Sequence, residues 1–444
     1  MWFFCYLSFK ITEKHIDFYF RNVVQYFQIK LFTERKIAMT ENEKRIVREL
    51  ARQYMELATD EKQQDMNKRM RDTNDLKLTR PPVNIDEIPW YQMNIDGELT
   101  CLCEDKGARG VETFLRRAIY RRKHFKADTI LEPFFRVTMS YDSSGVGLMP
   151  EEHIVRTDST NNIVSHCYHD LLENEEMLEQ IKIPTFTARP DKDEKNMTFY
   201  TELLGDAMPV KLCGRGMYYD AAWDKIVRYR GMEPVIYDFY DRPEYLHAIR
   251  QRFQDIVKAE LDFVEEHLHV DPTNPNLHCT PALVSGLAED GWKATWYRTM
   301  AQGFSDVSPE MHYEFDIKYA IEHAKRFTYT YYGCCEPLDR KLDVIFKIPN
   351  LRKVGVSPWA KEEVMAERLG GNYVYSRKPN PSHVAIHTDP ELIRRETEAT
   401  VKLCQRYGCP VDFTLKDIST VSHRPENLIV WSEVVSEVLD KYYG

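Results

Sequence analysis

No stretch of this chain approaches the ~20 consecutive apolar residues that a membrane span requires, which argues against a membrane protein. Basic residues are in deficit: 60 Lys and Arg stand against 70 Asp and Glu, a formal charge of −10. That balance argues against a nucleic-acid binder, which needs a basic face. The ten cysteines form no repeated framework, and a chain of 444 residues does not need covalent staples. Reduced thiols in a cytoplasmic protein are the simplest reading. A glycine-rich phosphate loop is also missing, since Gly214-Arg215-Gly216 has no third glycine and no strand-to-helix context. No solenoid period or low-complexity linker breaks the chain.

What is present suits a soluble enzyme with a small-molecule substrate. A hydrophobic fraction of 43% and an aromatic fraction of 12% are ample for a core. Residues 1–38 are set aside as an extension outside the natural chain, with Met39 read as its start. A real amphipathic arm is the alternative, and the signal-peptide features there are weak. Residues 39–78 are highly charged with apolar positions at helical spacing (Ile46, Leu50, Tyr54, Leu57), predicting surface helices ahead of the core. The main domain is placed at 79–444.

Within that domain, strands are predicted near 83–88, 130–137, 209–214, 280–287, 294–300, 327–332, 353–356, 373–376 and 411–415. Helices are predicted at 111–124, 221–230, 242–268, 309–326 (capped by Ser308), 337–347, 360–369, 389–407 and 425–441. The polar stretch 188–196 is read as a loop or insertion tip. Regular strand–helix alternation with short loops means a parallel sheet. The count fits an α/β (β/α)8 TIM-type barrel with an N-terminal helical extension and insertions; an open doubly wound sheet is the runner-up.

In such a barrel, chemistry belongs at the C-terminal ends of the strands. The most informative run is Thr330-Tyr331-Tyr332-Gly333-Cys334-Cys335-Glu336-Pro337, where two thiols and a carboxylate end a buried aromatic strand. One buried cysteine is usually just a small hydrophobe. Two beside an acid favour a functional reading, and soft sulfur next to hard oxygen suggests a metal, with zinc fitting best. Thiolates would be favoured there if the next helix pointed its N-terminus at the sulfurs. Other strand-end candidates are Asp86 and Glu87, Glu132 and Arg136, Lys211 and Cys213, Arg298, and Lys416 and Asp417. Arg377 and Lys378, in a proline-flanked loop, read as an anion site. His166-Cys167-Tyr168-His169 alternates faces on a strand and is read as structural, and His312 is read as peripheral.

Several motifs together resemble a known family. They are Tyr332-Gly333-Cys334-Cys335-Glu336-Pro337, Ile348-Pro349-Asn350-Leu351-Arg352-Lys353, Ser357-Pro358-Trp359, Ser376-Arg377-Lys378-Pro379-Asn380-Pro381, Ile85-Asp86-Glu87-Ile88-Pro89-Trp90 and Leu415-Lys416-Asp417-Ile418. Over roughly residues 41–444 the chain resembles the uroporphyrinogen decarboxylase superfamily, in its uroporphyrinogen decarboxylase-like branch from anaerobic bacteria. The resemblance implies a (β/α)8 barrel and one of two chemistries. True decarboxylases carry an arginine-glutamine-alanine-glycine-arginine run near the N-terminus, and this chain has none. Cobalamin-dependent methyltransferases of the same fold hold zinc with a His-x-Cys pair and a later cysteine. Here Tyr332-Gly333-Cys334 occupies the first place and Asp417 falls about where the later cysteine would be.

The favoured expectation is metal-assisted methyl transfer from a small methylated compound to a corrinoid protein. Zinc would be held by Cys334 with Cys335, Glu336 or Asp417. Glu336, Asp417 and Lys416 would do the proton and charge work, and Glu87, Glu132, Arg298, Arg377 and Lys378 would bind substrate. Cofactor-free decarboxylation of a porphyrinogen-type polycarboxylate, carried by Arg298, Arg136 and Lys211, is the alternative. A non-catalytic binding barrel is a third reading, and a homodimer is a common outcome for such barrels.

Overall fold

The structure is a computed structural model that describes residues 39–155, 165–271, 277, 279–280 and 282–444. The reading of residues 1–38 falls outside them. Among the described residues thirteen strands occur in chain order: β1 Val83–Ile85, β2 Phe135–Thr138, β3 Tyr141–Ser143, β4 Glu152–Val155, β5 Ser165–Tyr168, β6 Phe186–Ala188, β7 Val210–Cys213, β8 Tyr218–Asp220, β9 Trp296–Thr299, β10 Tyr329–Tyr332, β11 Leu351–Val356, β12 Val374–Arg377 and β13 Val411–Leu415. Seven form one sheet in the order β1-β13-β12-β11-β10-β9-β8, with every ladder parallel. Helices Glu362–Leu369, Pro390–Tyr407 and Glu426–Tyr443 follow β11, β12 and β13, as the alternation predicts.

The expected eight-stranded closed barrel is met only in part. β2 and β7 form a separate parallel pair, and no ladder joins the two edges of the seven-stranded sheet among the described residues. The sheet nonetheless curls. Lys416, just after β13, reaches Cys334, just after β10, at 3.1 Å. In a flat sheet, three strand spacings would hold those strands about 14 Å apart.

Period-two alternation gives the curl two unlike faces. Val411, Phe413 and Leu415 join the outer apolar core with Tyr375 and Val354, against the helices. The intervening Asp412, Ser376 and Lys353 meet on the inner face, where Lys353 Nζ donates to Asp412 Oδ2 at 2.8 Å and to Thr280 Oγ1 at 3.0 Å. Both members of that ion pair are 0% exposed. Removing one partner of such a pair strands a buried charge, so Lys353→Met should lower unfolding free energy by about 3–5 kcal/mol. The double variant Lys353→Met with Asp412→Leu should recover most of the loss in chemical denaturation. A single variant as stable as the parent would refute the pairing.

Elsewhere the sequence reading is corrected in places. The stretch 188–196 is not a loop: Ala188 ends β6 and, after Arg189, a helix opens, Pro190–Leu204, with Pro190 in its first turn and Asp191 and Asp193 near its positive end. Described residues of 280–287 form no strand. The 309–326 helix begins at the Ser308 cap but carries a π-helical turn at Tyr313–Ile317. That turn sets Asp316 beside Tyr332, whose hydroxyl donates to Asp316 Oδ2 at 3.0 Å and lies 2.6 Å from His312 Nε2. His312 is therefore buried rather than peripheral. Helix Glu41–Thr59 is fastened by a Thr40–Glu43 capping box. Glu43 also accepts the backbone N–H groups of Glu104 and Asp105, which tie it to the start of helix Lys106–His124. No helix among the described residues is long and apolar enough to cross a membrane.

Candidate active site

The inner face of the curl ends in a cluster of side chains from five strand ends. Tyr219 comes from β8, Arg298 and Met300 from β9 and its end, and Cys334 and Cys335 follow β10. Lys416 and Asp417 follow β13, and Glu87 follows β1. Gly333 makes the exit from β10 feasible. Its φ is 106°, and an added Cβ would stand 2.8 Å from Leu338 and 3.3 Å from the Gly355 backbone. Three non-glycine residues here also adopt the left-handed conformation: Glu87 (φ 52°), Cys279 (φ 64°) and Asp417 (φ 57°). Backbone strain of this kind gathers at functional sites, and the surroundings must hold it in place. Asp417 N–H donates to Glu87 Oε2 at 2.7 Å, and Cys279 N–H donates to Asp86 Oδ2 at 2.8 Å.

Lys416 stands at the centre. Its ammonium donates to both sulfurs at 3.1 Å and to the Asp417 carboxylate at 2.8 and 2.9 Å, with Glu87 at 3.9 Å. The two sulfurs lie 3.5 Å apart, and the Cys335 thiol donates to Asp417 Oδ2 at 2.7 Å. The pair therefore shares one negative charge, placed on Cys334. The hydrogen bond from Cys335, together with the Lys416 and Arg298 cations, lowers the Cys334 thiol to about 4 despite its burial. Cys335 is pushed up by its bond to the Cys334 thiolate and by burial. The helix dipole considered for this thiolate is not the source: the next helix among the described residues is the short Leu342–Ile345, eight residues on. Cys335 and the Lys416 and Arg298 cations do the work instead.

Around the thiolate, buried polar groups stand without partners. Arg298, 0% exposed, lies between the rings of Tyr219 (4.5 Å) and Tyr331 (5.2 Å), and its Nε and Nη1 donate to nothing among the described residues. The Tyr331 hydroxyl is likewise unpaired. Glu336 accepts the Cys334 N–H at 3.0 Å through Oε2, while its buried Oε1 has no partner. Burial and the neighbouring Cys334 charge push this carboxyl up to about 7. Asp224 is raised to about 6 by burial and the same charge. Unpaired buried donors and acceptors are costly in a folded protein, and several in one place suit a site built for a polar ligand.

The candidates chosen from sequence divide cleanly. Cys334, Cys335, Glu336, Lys416, Asp417, Glu87 and Arg298 converge. Glu132 does not: it pairs with Arg136, at 3.0 Å to Nε, and Arg136 also holds Asp271 at 2.8 Å. Lys211, on the separate β2–β7 pair, lies 4.3 Å over the Phe134 ring. Two of the three cations expected to run decarboxylation, Arg136 and Lys211, thus sit on the β2–β7 pair, whereas Arg298 lies on β9 of the seven-stranded sheet. Nor do Arg377 and Lys378 form an anion site. Adjacent residues point oppositely, so Arg377 faces the helices, where it binds Glu362 (2.6 Å) and Ser357 O (3.1 Å). Lys378 turns inward to Cys279 O (2.9 Å) and Ser376 Oγ (2.8 Å), and burial lowers it to about 8.

The zinc set of Cys334, Cys335, Glu336 and Asp417 does not fit this arrangement. The Lys416 ammonium holds the position between both sulfurs and Asp417 that a cation would need, and Glu336 is turned to the Cys334 N–H. Among the described residues, no group of three or more His, Cys, Asp or Glu is arranged to hold a metal ion. Tyr219, Cys279 and Asp224 were not foreseen. The adjoining tyrosines and the lone cysteine carry no sequence signal, whereas Asp224 at the start of a helix after β8 could have been suspected.

No family model matches the chain, and no curated protein matches it. Among solved structures, a methyltransferase from Methanosarcina mazei superposes over 85% of this chain and 99% of its own, at 10% identity and a TM-score of 0.45.

Proposed function

We propose that the chain is a methyl-transfer enzyme in which the Cys334 thiolate takes a methyl group from a small methylated compound. The observation that carries this reading is the Cys334–Lys416 contact at 3.1 Å, set beside the unpaired carboxyl oxygen of Glu336. Cys334 Sγ forms the new S–C bond as the methyl–oxygen bond of the donor breaks, and the electron pair stays on the oxygen. Arg298, whose Nε–H and Nη1–H are unused, faces the developing negative charge. Glu336, protonated below about 7, gives its proton to the leaving oxygen and recovers one from water. Lys416 keeps Cys334 anionic without shifting position. A thiolate of low pKa is also the better leaving group, so the same environment favours release of the methyl to a second acceptor. The acceptor implied by the family resemblance is a corrinoid carried by a partner protein.

Two ionisations bound the activity. Capture needs Cys334 deprotonated and Glu336 protonated, so its rate should rise through pH about 4 and fall through about 7. Glu336→Gln keeps the shape and removes the proton. It should lower the plateau about 10²-fold and abolish the fall near 7. A variant with unchanged rate and an intact alkaline limb would remove Glu336 from the mechanism.

A further inference from the structure

Methyl capture uses the Cys334 sulfur and leaves that of Cys335 with no chemical step of its own. The two sulfurs lie 3.5 Å apart. Cys335 Sγ is fixed by Asp417 Oδ2 at 2.7 Å and by Lys416 Nζ at 3.1 Å, so its proton already points at a base. Cys334 is buried, whereas Cys335 is half-buried and the Asp417 side chain is 46% exposed. Solvent therefore meets the cluster from the Asp417 side, where Glu87 and Asp417 line a large cavity. A thiolate held beside cations is the form of cysteine that reacts with peroxides. Left alone it climbs past sulfenic acid to sulfinic acid, which ordinary reductants do not reverse. A second thiol within reach intercepts the sulfenic acid as a disulfide. A disulfide between adjacent residues is strained, and strained disulfides are the readily reduced ones.

We propose that Cys335 is a resolving thiol: peroxide converts Cys334 and Cys335 into a vicinal disulfide, which stops methyl uptake until a dithiol reopens it. In the first step Cys334 Sγ attacks one peroxide oxygen and the O–O bond breaks. The electron pair leaves on the other oxygen as hydroxide, protonated by solvent, and Cys334 becomes a sulfenic acid. In the second step Cys335 passes its proton to Asp417 and attacks the Cys334 sulfur. The S–S bond forms, the S–O bond breaks, and the departing hydroxide takes the proton back from Asp417 as water. Peroxide is reduced to water and the thiol pair is oxidised. The disulfide stands on the geometry of the two thiols; only its effect on uptake rests on the methyl-transfer reading.

Treatment of the reduced full-length chain with hydrogen peroxide, then alkylation of free thiols and peptide mass spectrometry, tests the assignment. In the parent, the segment holding Cys334 and Cys335 should lose one hydrogen from each sulfur, resist alkylation and regain both thiols with dithiothreitol. Methyl uptake should fall in step with the disulfide and return with the thiols. Cys335→Ser should instead hold Cys334 as a sulfenic acid, captured by dimedone, and pass to sulfinic acid with excess peroxide. Cys335→Ala serves as a second variant. At about pH 6, Cys334→Ser should leave Cys335 about 10²-fold or more slower to oxidise than Cys334 is in the parent, because an un-ionised thiol barely reacts. A parent whose Cys335 stays alkylatable after peroxide, or whose Cys334 pairs with Cys279, would overturn the proposal. A reversible Cys334–Cys335 disulfide in a protein whose reduced form takes up no methyl would instead defeat the methyl-transfer reading and leave the thiol pair standing.

Discussion

Cys334→Ser should lose methyl uptake by about 10³-fold or more, because a serine hydroxyl beside Lys416 stays protonated where the thiol ionises. The substitution is nearly isosteric, and Cys334 is only 3% exposed, so the fold should persist. Cys335→Ser gives the contrasting result. Its hydroxyl can still donate to Asp417, as the thiol does, so uptake should survive with a modest reduction. Peptide mass spectrometry after exposure to a methyl donor reads both variants. Equal losses in the two would show that the thiols act as a pair and would contradict a single nucleophile.

The second large effect belongs to Lys416. Lys416→Met preserves the length of the side chain and removes the cation that faces Cys334, Cys335 and Asp417. The sign follows from the contacts. A cation stabilises thiolate over thiol, so its loss raises the Cys334 pKa toward that of an ordinary thiol. At about pH 6 the thiolate fraction, and with it uptake, should fall by about 10²-fold or more. Raising the pH should restore part of the rate as the unassisted thiol ionises. The acid limb of the profile should therefore move from about 4 in the parent to well above neutrality in the variant. An unmoved limb would mean that Arg298 and Cys335 alone hold the thiolate, and that Lys416 serves only the Asp417 carboxylate.

Much of this site could be read from the residues because strand ends carry a simple rule. An apolar run that stops at a polar pair puts that pair at the mouth of a parallel sheet, and Cys334, Lys416 and Glu87 were all found in this way. Their meeting required only that the sheet curl. What could not be read was which way each cation turns. Arg377 and Lys378 are adjacent, and a single residue step separates the helix-facing side from the inner face. Glu132 and Arg136 read as neighbours along one strand, yet only Arg136 lies on β2, in the separate β2–β7 pair, and Glu132, just before that strand, pairs with it. The choice between a metal set and a lysine-centred cluster is hidden in sequence for a related reason. Two thiols and a carboxylate around a lysine show the same residue types in sequence as a metal set, and only geometry shows the ammonium between them. Cys279 was hidden differently. Its left-handed backbone follows from a hydrogen bond to Asp86, nearly two hundred residues away in the chain, which no local pattern encodes.

The central claim is that Cys334 is a thiolate at mildly acidic pH and that it accepts methyl. Exposure of the protein to methyl para-nitrobenzenesulfonate across a pH series, with peptide mass spectrometry of the segment holding Cys334 and Cys335, measures both together. The account predicts one added methyl, on Cys334, with uptake well established between about 4 and about 7. Methylation that falls on Cys335, or that begins only near the ionisation of an ordinary thiol, would contradict it.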